Sequence, residues 1–553
     1  MSSYPESPLM GHMMSQPLLI SSLIQHADRY YPGTEIVSRR VEGDIHRYTY
    51  HDCHRRARQL ANALGKLGVK MGDRVATLAW NGYRHLEAYY AVSGSGAVLH
   101  TINPRLFDEQ IEYIVNHAED EWIFTDVAFV PKLEQLAAKC PGVRGYVVMT
   151  DAAHMPQTSL PNALCYETLI ASESDDYAWP ELEERSASGL CYTSGTTGHP
   201  KGVLYNHRSA VLMAYAASLP DSCALSAVDG ILPIVPMFHV NAWGLPFAGV
   251  LVGAKLVFPG PSLSNPETLV SLIGGEGVTI AAGVPTVCLP LLAHAREQGR
   301  SLQPLSRFVI GGSACPLSMM EEFRDRHGVR VLHAWGMTEM SPLGTVNADT
   351  GASRHWQGEE RIAQMLSQGR AIPGVELKIV DDDDNELPWD GVAVGALKVR
   401  GLWICRDYYR LEGHGGAHDA HGWFSTGDVC SIDPSGFMRI TDRAKDVIKS
   451  GGEWISSIDL ENTAMGHPAV AEAAVIGVAH PKWQERPLLV VVHREGMPVA
   501  KDELLKWFEG RVAKWWIPDD VVFVKELPHT ATGKLSKLEL RKRLGDYRLP
   551  DAD

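Results

Sequence analysis

The chain has 553 residues, too many for one compact core, and its hydrophobic fraction of 45% is ordinary for a globular protein. Its formal net charge of −15 argues against binding to nucleic acids and to anionic membrane surfaces, which require basic patches. We therefore expect at least two domains, and we expect any anionic substrate to be bound by a local positive site.

The nine cysteines are odd in number and form no C-x-x-C pair. This usage predicts reduced, mostly buried thiols in a cytoplasmic protein, and neither a disulfide scaffold nor a zinc site. The N-terminus lacks a basic region followed by a long apolar run, and no apolar run is long enough to cross a bilayer. We expect neither a signal peptide nor a membrane helix.

Helices and strands alternate along the first part of the chain. Apolar residues at helical spacing predict a helix over 50–68, with Ala57, Leu60, Ala61, Leu64 and Leu67 on one face. The elements predicted after it are a strand at 75–80, a helix at 108–119, a strand at 122–125, a helix at 132–139 and strands at 146–149, 308–310 and 329–332. This alternation predicts parallel α/β layers.

The pattern of apolar and charged residues changes near residue 440. A strand at 436–440 precedes a charged stretch at 442–446, and a smaller α/β unit follows. Its predicted elements are strands at 473–478, 488–492 and 521–524, a helix at 502–513 and a basic helix after residue 534. We place a domain boundary at Lys445, which divides the chain into 1–444 and 445–553. The short acidic run 381–385 is interpreted as a solvated turn between strands.

The segment 192–202 carries the strongest functional signal. It combines four hydroxyl side chains, three glycines and Lys201 directly after the apolar run 189–191. Glycines let backbone N–H groups approach a ligand, and the hydroxyls and the lysine add donors and positive charge. The composition predicts a loop that wraps a polyanion such as a triphosphate, against the alternative of a flexible surface turn. It is not a Walker motif, because Pro200 precedes the lysine and Gly202 follows it.

This loop resembles the phosphate loop of the adenylate-forming superfamily, which includes acyl-CoA synthetases, luciferases and the adenylation domains of peptide synthetases. Further blocks similar to those of the superfamily follow in the expected order at 311–316, 335–339, 422–428, 442–446 and 532–534. The resemblance extends over most of 15–545. It implies an α/β fold with a large multi-layer N-terminal domain and a small α+β C-terminal domain, joined by a hinge.

The resemblance also implies roles for individual residues. The residues implied to bind ATP are Thr193, Ser194, Gly195, Thr196, Thr197, Gly198, Lys201, Gly312, Ser313, His333, Ala334, Trp335, Gly336, Thr338, Asp428, Arg443, Lys445, Lys449 and Trp454. Lys534, Glu339 and Thr338 are the implied catalytic residues, and Glu339 would hold Mg²⁺ together with Thr193. Those implied to line the acyl and coenzyme A sites are His239, Val240, Trp243, Gly451 and Gly452.

Two segments narrow the resemblance to one branch. Residues 239–243 and 449–456 look like those of fatty acyl-CoA synthetases, especially medium-chain acyl-CoA ligases and methylmercaptopropionate-CoA ligases. The branch implies an ATP-dependent ligase for a short- to medium-chain carboxylic acid, with 3-methylthiopropionate a candidate, and it implies a homodimer. The chain departs from many relatives with Trp335 in place of Tyr, which could shorten the acyl pocket, and with Lys445 in place of Asp at the hinge. His199 is expected to point to solvent.

Alternatives remain at this level. Each block alone has an ordinary structural explanation: Glu339 as a loop carboxylate, Asp428 as a helix cap, Lys534 as a solvated lysine. The whole set also fits an adenylating enzyme that acts on an aryl acid or loads a carrier-protein thiol. A third possibility is a catalytically inactive relative that only binds nucleotide. Release of pyrophosphate with a panel of acids separates these possibilities.

Overall fold

The structure is a computed structural model that describes residues 11–193, 199–411, 418–443, 445–450, 453–529 and 535–550, with the backbone alone for 453 and 454. Within these residues, no helix is both long enough and apolar enough to span a membrane. All nine cysteines fall in the described ranges and are free thiols; only Cys165 and Cys405 are not fully buried.

The strands, in chain order, are β1 (Glu35–Arg39), β2 (Ile45–Thr49), β3 (Arg74–Leu78), β4 (Val98–Thr101), β5 (Asp120–Thr125), β6 (Gly145–Val148), β7 (Ala163–Cys165), β8 (Ala187–Tyr192), β9 (Gly202–Asn206), β10 (Gly230–Pro233), β11 (Lys255–Phe258), β12 (Ile280–Gly283), β13 (Arg307–Ile310), β14 (Arg330–Gly336), β15 (Leu343–Val346), β16 (Arg370–Ala371), β17 (Val375–Val380), β18 (Gly395–Gly401), β19 (Phe424–Ile432), β20 (Met438–Arg443), β21 (Ile448–Ser450), β22 (Glu453–Ile455), β23 (Val470–His480), β24 (Gln484–His493) and β25 (Asp520–Phe523). The helical segments are α1 (Ile20–Tyr30), α2 (Tyr50–Lys66), α3 (Tyr83–Gly94), α4 (Asp108–Ala118), α5 (Val130–Leu136), α6 (Tyr166–Ala171), α7 (His207–Ser218), α8 (Val240–Trp243), α9 (Leu245–Val252), α10 (Pro266–Gly275), α11 (Pro285–Glu297), α12 (Leu317–His327), α13 (Gly358–Leu366), α14 (Ser457–Met465), α15 (Lys501–Trp507) and α16 (Lys537–Arg543).

Four sheets organise the described chain. A seven-stranded sheet has the order β7-β6-β5-β3-β4-β8-β9, and a nine-stranded sheet has the order β16-β15-β14-β13-β12-β10-β11-β1-β2. Most neighbouring strands of both sheets run parallel, because helices provide the crossovers. The antiparallel sheet β17-β18-β19-β20 follows, and a final sheet joins β21 to β25. The predicted α/β class is confirmed.

Helix α2 illustrates how local sequence determines an element. The Thr49 hydroxyl accepts a hydrogen bond from the Asp52 N–H (3.3 Å), and the Asp52 carboxylate accepts one from the Thr49 N–H (3.1 Å). This capping box pairs backbone N–H groups that would otherwise lack partners at the first turn. The apolar face predicted from Ala57 to Leu64 is buried, and Leu67 packs against the same core. Burial of this face is the main source of the stability of the helix.

The other predicted elements are present with small shifts at their ends, apart from one helix. The helix predicted over 502–513 is wrong in length, since it ends at Trp507. Gly510, with a φ of 72°, adopts the left-handed conformation, which an α-helix cannot continue through. The acidic run 381–385 does form a turn, in which the Asp381 carboxylate accepts backbone N–H bonds, but Asp384 pairs with the mostly buried Lys398 (2.5 Å).

A buried polar network joins strand β20 to the elements that follow residue 445. Asp442 accepts a hydrogen bond from the Ser457 N–H (2.9 Å) and one from the Ser457 hydroxyl. Lys537 donates to the same hydroxyl and pairs with Glu461 at 2.8 Å. The network therefore ties α16, which begins three residues after Lys534, to α14 and to the end of β20.

Candidate active site

Several segments that are predicted to bind the nucleotide lie at the ends of neighbouring parallel strands in the nine-stranded sheet. Gly283, Ile310 and His333 are aligned across β12, β13 and β14, so the segments that follow these strands leave the sheet at one edge. The carboxyl edge of parallel strands is a common location of ligand sites. A side chain at Gly311 would lie 2.8 Å from the Ala334 carbonyl oxygen and 3.3 Å from the Trp243 ring. This close packing brings the predicted segments 311–313, 333–336 and 239–243 together.

The motif 335–339 folds into a tight turn. The Met337 N–H donates to the Pro342 carbonyl (3.0 Å), and a short 3₁₀ helix covers Thr338–Met340 between them. A Cβ atom at Gly336 would lie 2.0 Å from the Pro342 oxygen, so only glycine fits this position. The turn presents Thr338 and Glu339 beyond the end of β14.

Tyr408 links Glu339 to the lysine of the phosphate loop. Its hydroxyl donates to Glu339 Oε1 at 2.7 Å, and the Lys201 ammonium lies 4.8 Å from the centre of its ring. Glu339 and Tyr408 are both buried. Burial, reinforced by the negative charge of Glu339, raises the pKa of the Tyr408 hydroxyl, which therefore remains a hydrogen-bond donor at neutral pH. Tyr408 thus brings the predicted metal ligand and the predicted phosphate-binding lysine into one cluster.

The phosphate loop is closed at its base by its own end residues. The Thr193 N–H donates to the Lys201 carbonyl (2.9 Å), and the Lys201 N–H donates to the Thr193 hydroxyl (3.2 Å). Gly202, which follows Lys201 and begins β9, pairs with Tyr192 of β8. Ser194, Gly195, Thr196, Thr197 and Gly198 lie outside the described residues. His199 is exposed as predicted, but its ring stacks on Tyr113 with centroids 4.2 Å apart.

Tyr205 joins the loop-bearing hairpin to the motif turn. It lies on β9, and its hydroxyl donates to the Thr338 carbonyl at 2.7 Å. The Cys405 N–H donates to the Glu339 carbonyl at the same distance. The seven-stranded and nine-stranded sheets therefore meet at Thr338 and Glu339.

The third sheet contributes Asp428 and Arg443, which are directly opposite each other on β19 and β20. The buried Asp428 carboxylate accepts from the Trp335 indole N–H at one oxygen (2.9 Å) and pairs with Arg443 Nε at the other (3.0 Å). Each carboxylate oxygen can accept a second hydrogen bond, as contacts with two ribose hydroxyls would require. The Trp335 ring also covers Gly344, where a Cβ would lie 2.7 Å away. That Trp335 shortens the acyl pocket stays a prediction.

His333 is buried at the centre of this edge, and burial lowers its pKa to about 4. At neutral pH the imidazole is uncharged. In the predicted ATP site, His333 would therefore supply no positive charge, unlike the predicted residues Lys201, Arg443 and Lys534. Of these, Lys534 lies outside the described residues.

The segment predicted to line the acyl site has an unusual backbone. Val240, Asn241, Ala242 and Trp243 all have φ between 39° and 56°, so α8 is a left-handed turn. Each non-glycine residue in this conformation costs roughly 1–2 kcal/mol. Neighbouring contacts compensate: Tyr89 donates to the Met237 carbonyl (2.5 Å) and to the Asn241 side chain (3.2 Å).

Asn81 anchors the chain on the N-terminal side of this turn. Its amide donates to the carbonyls of Pro233 (2.8 Å) and Val235 (2.9 Å) and accepts from the Met237 N–H (2.7 Å). Val240 is buried, and His239 and Trp243 are partly buried. The left-handed turn therefore directs Trp243 over Gly311, next to the carboxyl ends of β13 and β14.

The remaining predicted residues lie in the last sheet or beside it. Lys445 and Lys449 are exposed, and burial of part of the Lys445 side chain lowers its pKa. Lys449 pairs with Trp454 across the β21–β22 hairpin. Gly451 and Gly452 lie outside the described residues, as does the Trp454 side chain.

Three residues that hold the segments of the site together, Tyr408, Tyr205 and Asn81, are not predicted from the sequence. Each acts across a long sequence separation: Tyr408 reaches Glu339 over 69 residues, and Asn81 reaches Pro233 over 152. No local pattern marks such contacts.

The chain matches known proteins along nearly all of its length. Residues 24–409 match the AMP-binding enzyme family, and residues 459–534 match the AMP-binding enzyme C-terminal domain. A 3-methylmercaptopropionyl-CoA ligase of Ruegeria lacuscaerulensis is 52% identical over 97% of this chain and 99% of the relative. A medium-chain-fatty-acid–CoA ligase of Ectopseudomonas oleovorans is 50% identical over 98% of each chain.

A solved structure has the same fold. The anthranilate CoA ligase AuaEII, in complex with anthranoyl-AMP, superposes with a TM-score of 0.85 over 96% of this chain and 98% of that chain, at 24% identity. At this identity the likeness concerns the fold alone. The family matches and the close relatives together show that this chain belongs to the AMP-binding enzyme family.

Proposed function

We propose that the protein is an AMP-forming acyl-CoA ligase that activates a short- to medium-chain carboxylic acid with ATP and transfers the acyl group to coenzyme A. The observation that carries the proposal is the convergence of three sheets at one strand edge. There the Glu339–Tyr408–Lys201 cluster and the Asp428–Arg443 pair lie on segments that pack against one another. The first would suit phosphates and the second a ribose, so that both polar parts of ATP would be recognised.

In the first half-reaction the substrate carboxylate attacks the α-phosphorus of ATP, an acyl-adenylate forms and pyrophosphate leaves. Positioning and charge neutralisation are the main tasks of the protein in such a step. Lys201 would hold the leaving phosphates, Thr338 would contact the α-phosphate, and Lys534 would offset the charge that develops there. Asp428 and Arg443 would hold the ribose and so fix the adenosine end.

The residues at Glu339 fit a magnesium site. Its carboxylate is a hard oxygen ligand, and the Tyr408 hydrogen bond holds it in one orientation. Thr193, at the base of the phosphate loop, would add a hydroxyl oxygen. When bound, the ion would neutralise phosphate charge and orient the triphosphate.

In the second half-reaction the thiol of coenzyme A attacks the acyl carbonyl carbon of the acyl-adenylate, the C–O bond to AMP breaks and the thiol proton is lost. Lys534 is not needed in this step. We propose that the unit 445–553 rotates about Lys445 between the two steps, as the family resemblance implies, so that Gly451 and Gly452 line the path of the pantetheine arm. A hinge of this kind moves a few backbone dihedrals and leaves both units intact.

The acid is proposed from the two close relatives and from the Trp243 environment. The names of these relatives specify 3-methylmercaptopropionyl-CoA and medium-chain fatty acids, whose acyl groups are largely apolar. The acyl site would lie near Trp243, whose ring is partly buried against the main core. We propose a straight acyl chain of this class as the substrate, with 3-methylthiopropionate among the best acids.

The purified protein should be assayed for pyrophosphate release with ATP, Mg²⁺ and straight-chain acids from acetate to dodecanoate, together with 3-methylthiopropionate and benzoate, with and without coenzyme A. We expect release that depends on the acid, and acyl-CoA formation with the unbranched acids. A preference for benzoate would favour an aryl-acid ligase. No release with any acid, while ATP still binds, would favour an inactive relative.

Replacing Trp243 with alanine should broaden the range of chain lengths that the enzyme accepts. The indole closes the space beside Gly311, and removing it opens that space to a longer chain. The measurement is kcat/KM across the same acid panel, with the melting temperature recorded in parallel. Trp179→Ala is the control, because Trp179 is also partly buried in the main core but lies outside the site. If Trp243→Ala only destabilised the protein, by the roughly 3–5 kcal/mol typical of a deleted core aromatic, and left chain-length preference unchanged, Trp243 would be a packing residue.

The assembly and location of the protein are also proposals. We propose a cytoplasmic homodimer, in line with the family resemblance and with the free cysteines. Light scattering of the purified protein measures its mass in solution, and a monomer at assay concentrations would contradict the dimer.

A further inference from the structure

The last turn of α4 lies against the start of the phosphate loop. This turn contains His117, whose ring nitrogen Nδ1 is 2.7 Å from the Tyr192 hydroxyl oxygen. Tyr192 directly precedes Thr193, which shares two hydrogen bonds with Lys201 at the base of the loop. A side chain of α4 therefore contacts the residue from which the loop begins.

The same imidazole reaches the strand that leaves the loop, through Tyr409. The His117 and Tyr409 rings meet edge to face, with centroids 5.8 Å apart. The Tyr409 N–H donates to the Gly202 carbonyl at 2.8 Å, and a Cβ at Gly202 would lie 3.2 Å from both the Tyr192 ring and the Tyr409 side chain. His117 thus holds both strands of the hairpin that carries the loop, Tyr192 of β8 directly and Gly202 of β9 through Tyr409.

Tyr113, one turn earlier on α4, supports a third point of the loop segment. Its ring stacks on His117 with centroids 5.3 Å apart and on His199 with centroids 4.2 Å apart. Residues four apart on a helix lie on the same face, so Tyr113 and His117 present one continuous aromatic surface. The described residues on both sides of the loop therefore rest on one face of α4.

Arg410 joins the end of α4 to the same part of the chain. It donates to the His117 carbonyl (3.2 Å) and pairs with the Glu119 carboxylate (2.6 Å), and its guanidinium lies 5.1 Å from the centre of the Tyr409 ring. A positive side chain is favourable at the C-terminus of a helix, because the last carbonyls carry partial negative charge. The three consecutive residues that begin with Tyr408 thus connect the motif turn, the loop hairpin and α4.

Neither partner of the 2.7 Å contact is charged at neutral pH. Burial and the positive charge of Arg410 lower the pKa of the His117 imidazole. Burial, reinforced by the negative charge of Asp120, raises the pKa of the Tyr192 hydroxyl. The hydroxyl therefore keeps its proton and donates a hydrogen bond to the neutral ring. Because His117 and Tyr192 have no charge that could bind a phosphate, what they contribute is the position of the segment that carries Lys201.

We infer that His117 is a positioning residue for the polyphosphate end of the nucleotide: through Tyr192 and Tyr409 it fixes Lys201 beside the Tyr408 ring. The inference rests on the proposed function, in which Lys201 holds the phosphates that leave. Without the imidazole the two strand ends lose their common contact. The Lys201 ammonium, 4.8 Å from the centre of the Tyr408 ring, is then less restrained, and a small displacement of a binding group weakens its interaction with a ligand.

The adenosine end of the nucleotide should not depend on His117. Asp428 and Arg443, which are proposed to hold the ribose, lie on β19 and β20 of a different sheet. AMP keeps the adenosine and the α-phosphate but lacks the β- and γ-phosphates. Loss of His117 should therefore weaken the binding of ATP more than the binding of AMP.

The test measures the dissociation constants of ATP and of AMP for the full-length protein, by calorimetric titration in the presence of Mg²⁺. His117→Ala removes the imidazole, and Tyr192→Phe removes only the hydroxyl that contacts it. Acid-dependent ATP–pyrophosphate exchange gives KM for ATP and kcat for the same variants, and their melting temperatures are recorded in parallel.

Two control variants match these changes away from the loop. His294→Ala removes a half-buried histidine from the last turn of another helix, α11. Tyr50→Phe removes a buried hydroxyl that donates to the Ala254 carbonyl at 2.6 Å. Both variants keep α4 and the loop hairpin intact, so neither should change the affinity for ATP or for AMP.

We expect His117→Ala to weaken ATP binding by about tenfold, in keeping with the loss of one hydrogen bond and of the ring contacts around it. Tyr192→Phe should weaken it by about threefold, as expected for one lost hydrogen bond. The affinity for AMP should stay near the wild-type value in both variants. In the exchange assay, KM for ATP should rise by similar factors, with a smaller change in kcat.

If the ratio of ATP affinity to AMP affinity stays at the wild-type value in His117→Ala, whatever its melting temperature, His117 is a packing residue and the inference is overturned. Wild-type ATP affinity in Tyr192→Phe would overturn it as well, and that variant decides alone if His117→Ala fails to fold. Failure of the proposed function would show in the wild-type protein itself, which would then bind no ATP or release no pyrophosphate with any acid.

Discussion

Lys534→Ala should abolish acyl-adenylate formation and leave thioester formation from preformed acyl-adenylate close to the wild-type rate. The residue belongs to the unit beyond Lys445, and a charge used in one transition state affects only the step in which that transition state occurs. Loss of one such charged partner typically lowers a rate by about a hundredfold to a thousandfold. The measurements are pyrophosphate exchange for the first step and acyl-CoA production in the absence of ATP for the second.

Lys542→Ala is the control for this experiment. Lys542 is an exposed lysine of α16, a few residues further along the same basic segment, so it matches the change in charge without removing the proposed catalytic group. Both half-reactions should proceed normally in that variant. If Lys534→Ala slowed the two half-reactions equally, the account in which the small unit alternates between two orientations would have to be abandoned.

Glu339→Gln should lower adenylation steeply, by about a hundredfold to a thousandfold, while the protein stays folded. The amide has the size of the carboxylate and can still accept the Tyr408 hydrogen bond, but it lacks the charge that a divalent cation requires. The rate should be measured over a range of Mg²⁺ concentrations, with the melting temperature determined under the same conditions.

Tyr408→Phe separates the charge of Glu339 from its orientation. It removes the 2.7 Å hydrogen bond but keeps both the carboxylate and an aromatic ring beside Lys201. We expect a smaller loss of about tenfold, with a higher Mg²⁺ requirement, because the ligand remains but is less restrained. Near-normal adenylation by Glu339→Gln at low Mg²⁺ would remove Glu339 from the metal site altogether.

Local sequence was a good guide to the helices and strands. Capping, as at Thr49 and Asp52, and burial of one helical face are local or periodic properties, and α2 was predicted for that reason. The helix at 502–513 was predicted too long because its periodicity continues past Trp507, whereas the left-handed Gly510 ends the regular backbone. Helix propensity and apolar periodicity do not reveal that a single residue, here Gly510, adopts a positive φ.

The contacts that assemble the site could not be predicted in the same way. Asp428 was expected to bind the ribose, but its pairing with Trp335, 93 residues away, depends on how two sheets pack. The left-handed turn at 240–243 contradicts the ordinary preference of Val240, Ala242 and Trp243, and it persists because tertiary contacts such as those of Tyr89 outweigh that preference. Whether the predicted residues carry their proposed roles stays a prediction that the variants above will test.

The alternation of side chains along β20 has a thermodynamic consequence. Arg443 faces Asp428 of the neighbouring strand, whereas Asp442, one residue earlier, faces Ser457 beyond Lys445. Rotation of the small unit would have to break the contact between Asp442 and Ser457. Asp442 is adjacent in the chain to Arg443, which is proposed to hold the ribose together with Asp428. The affinity for nucleotide and the preference for one orientation are then linked, and linkage is reciprocal: if ATP favours that orientation by some factor, the orientation favours ATP by the same factor. The peptide unit between Asp442 and Arg443 would then couple occupancy of the site to the position of the small unit.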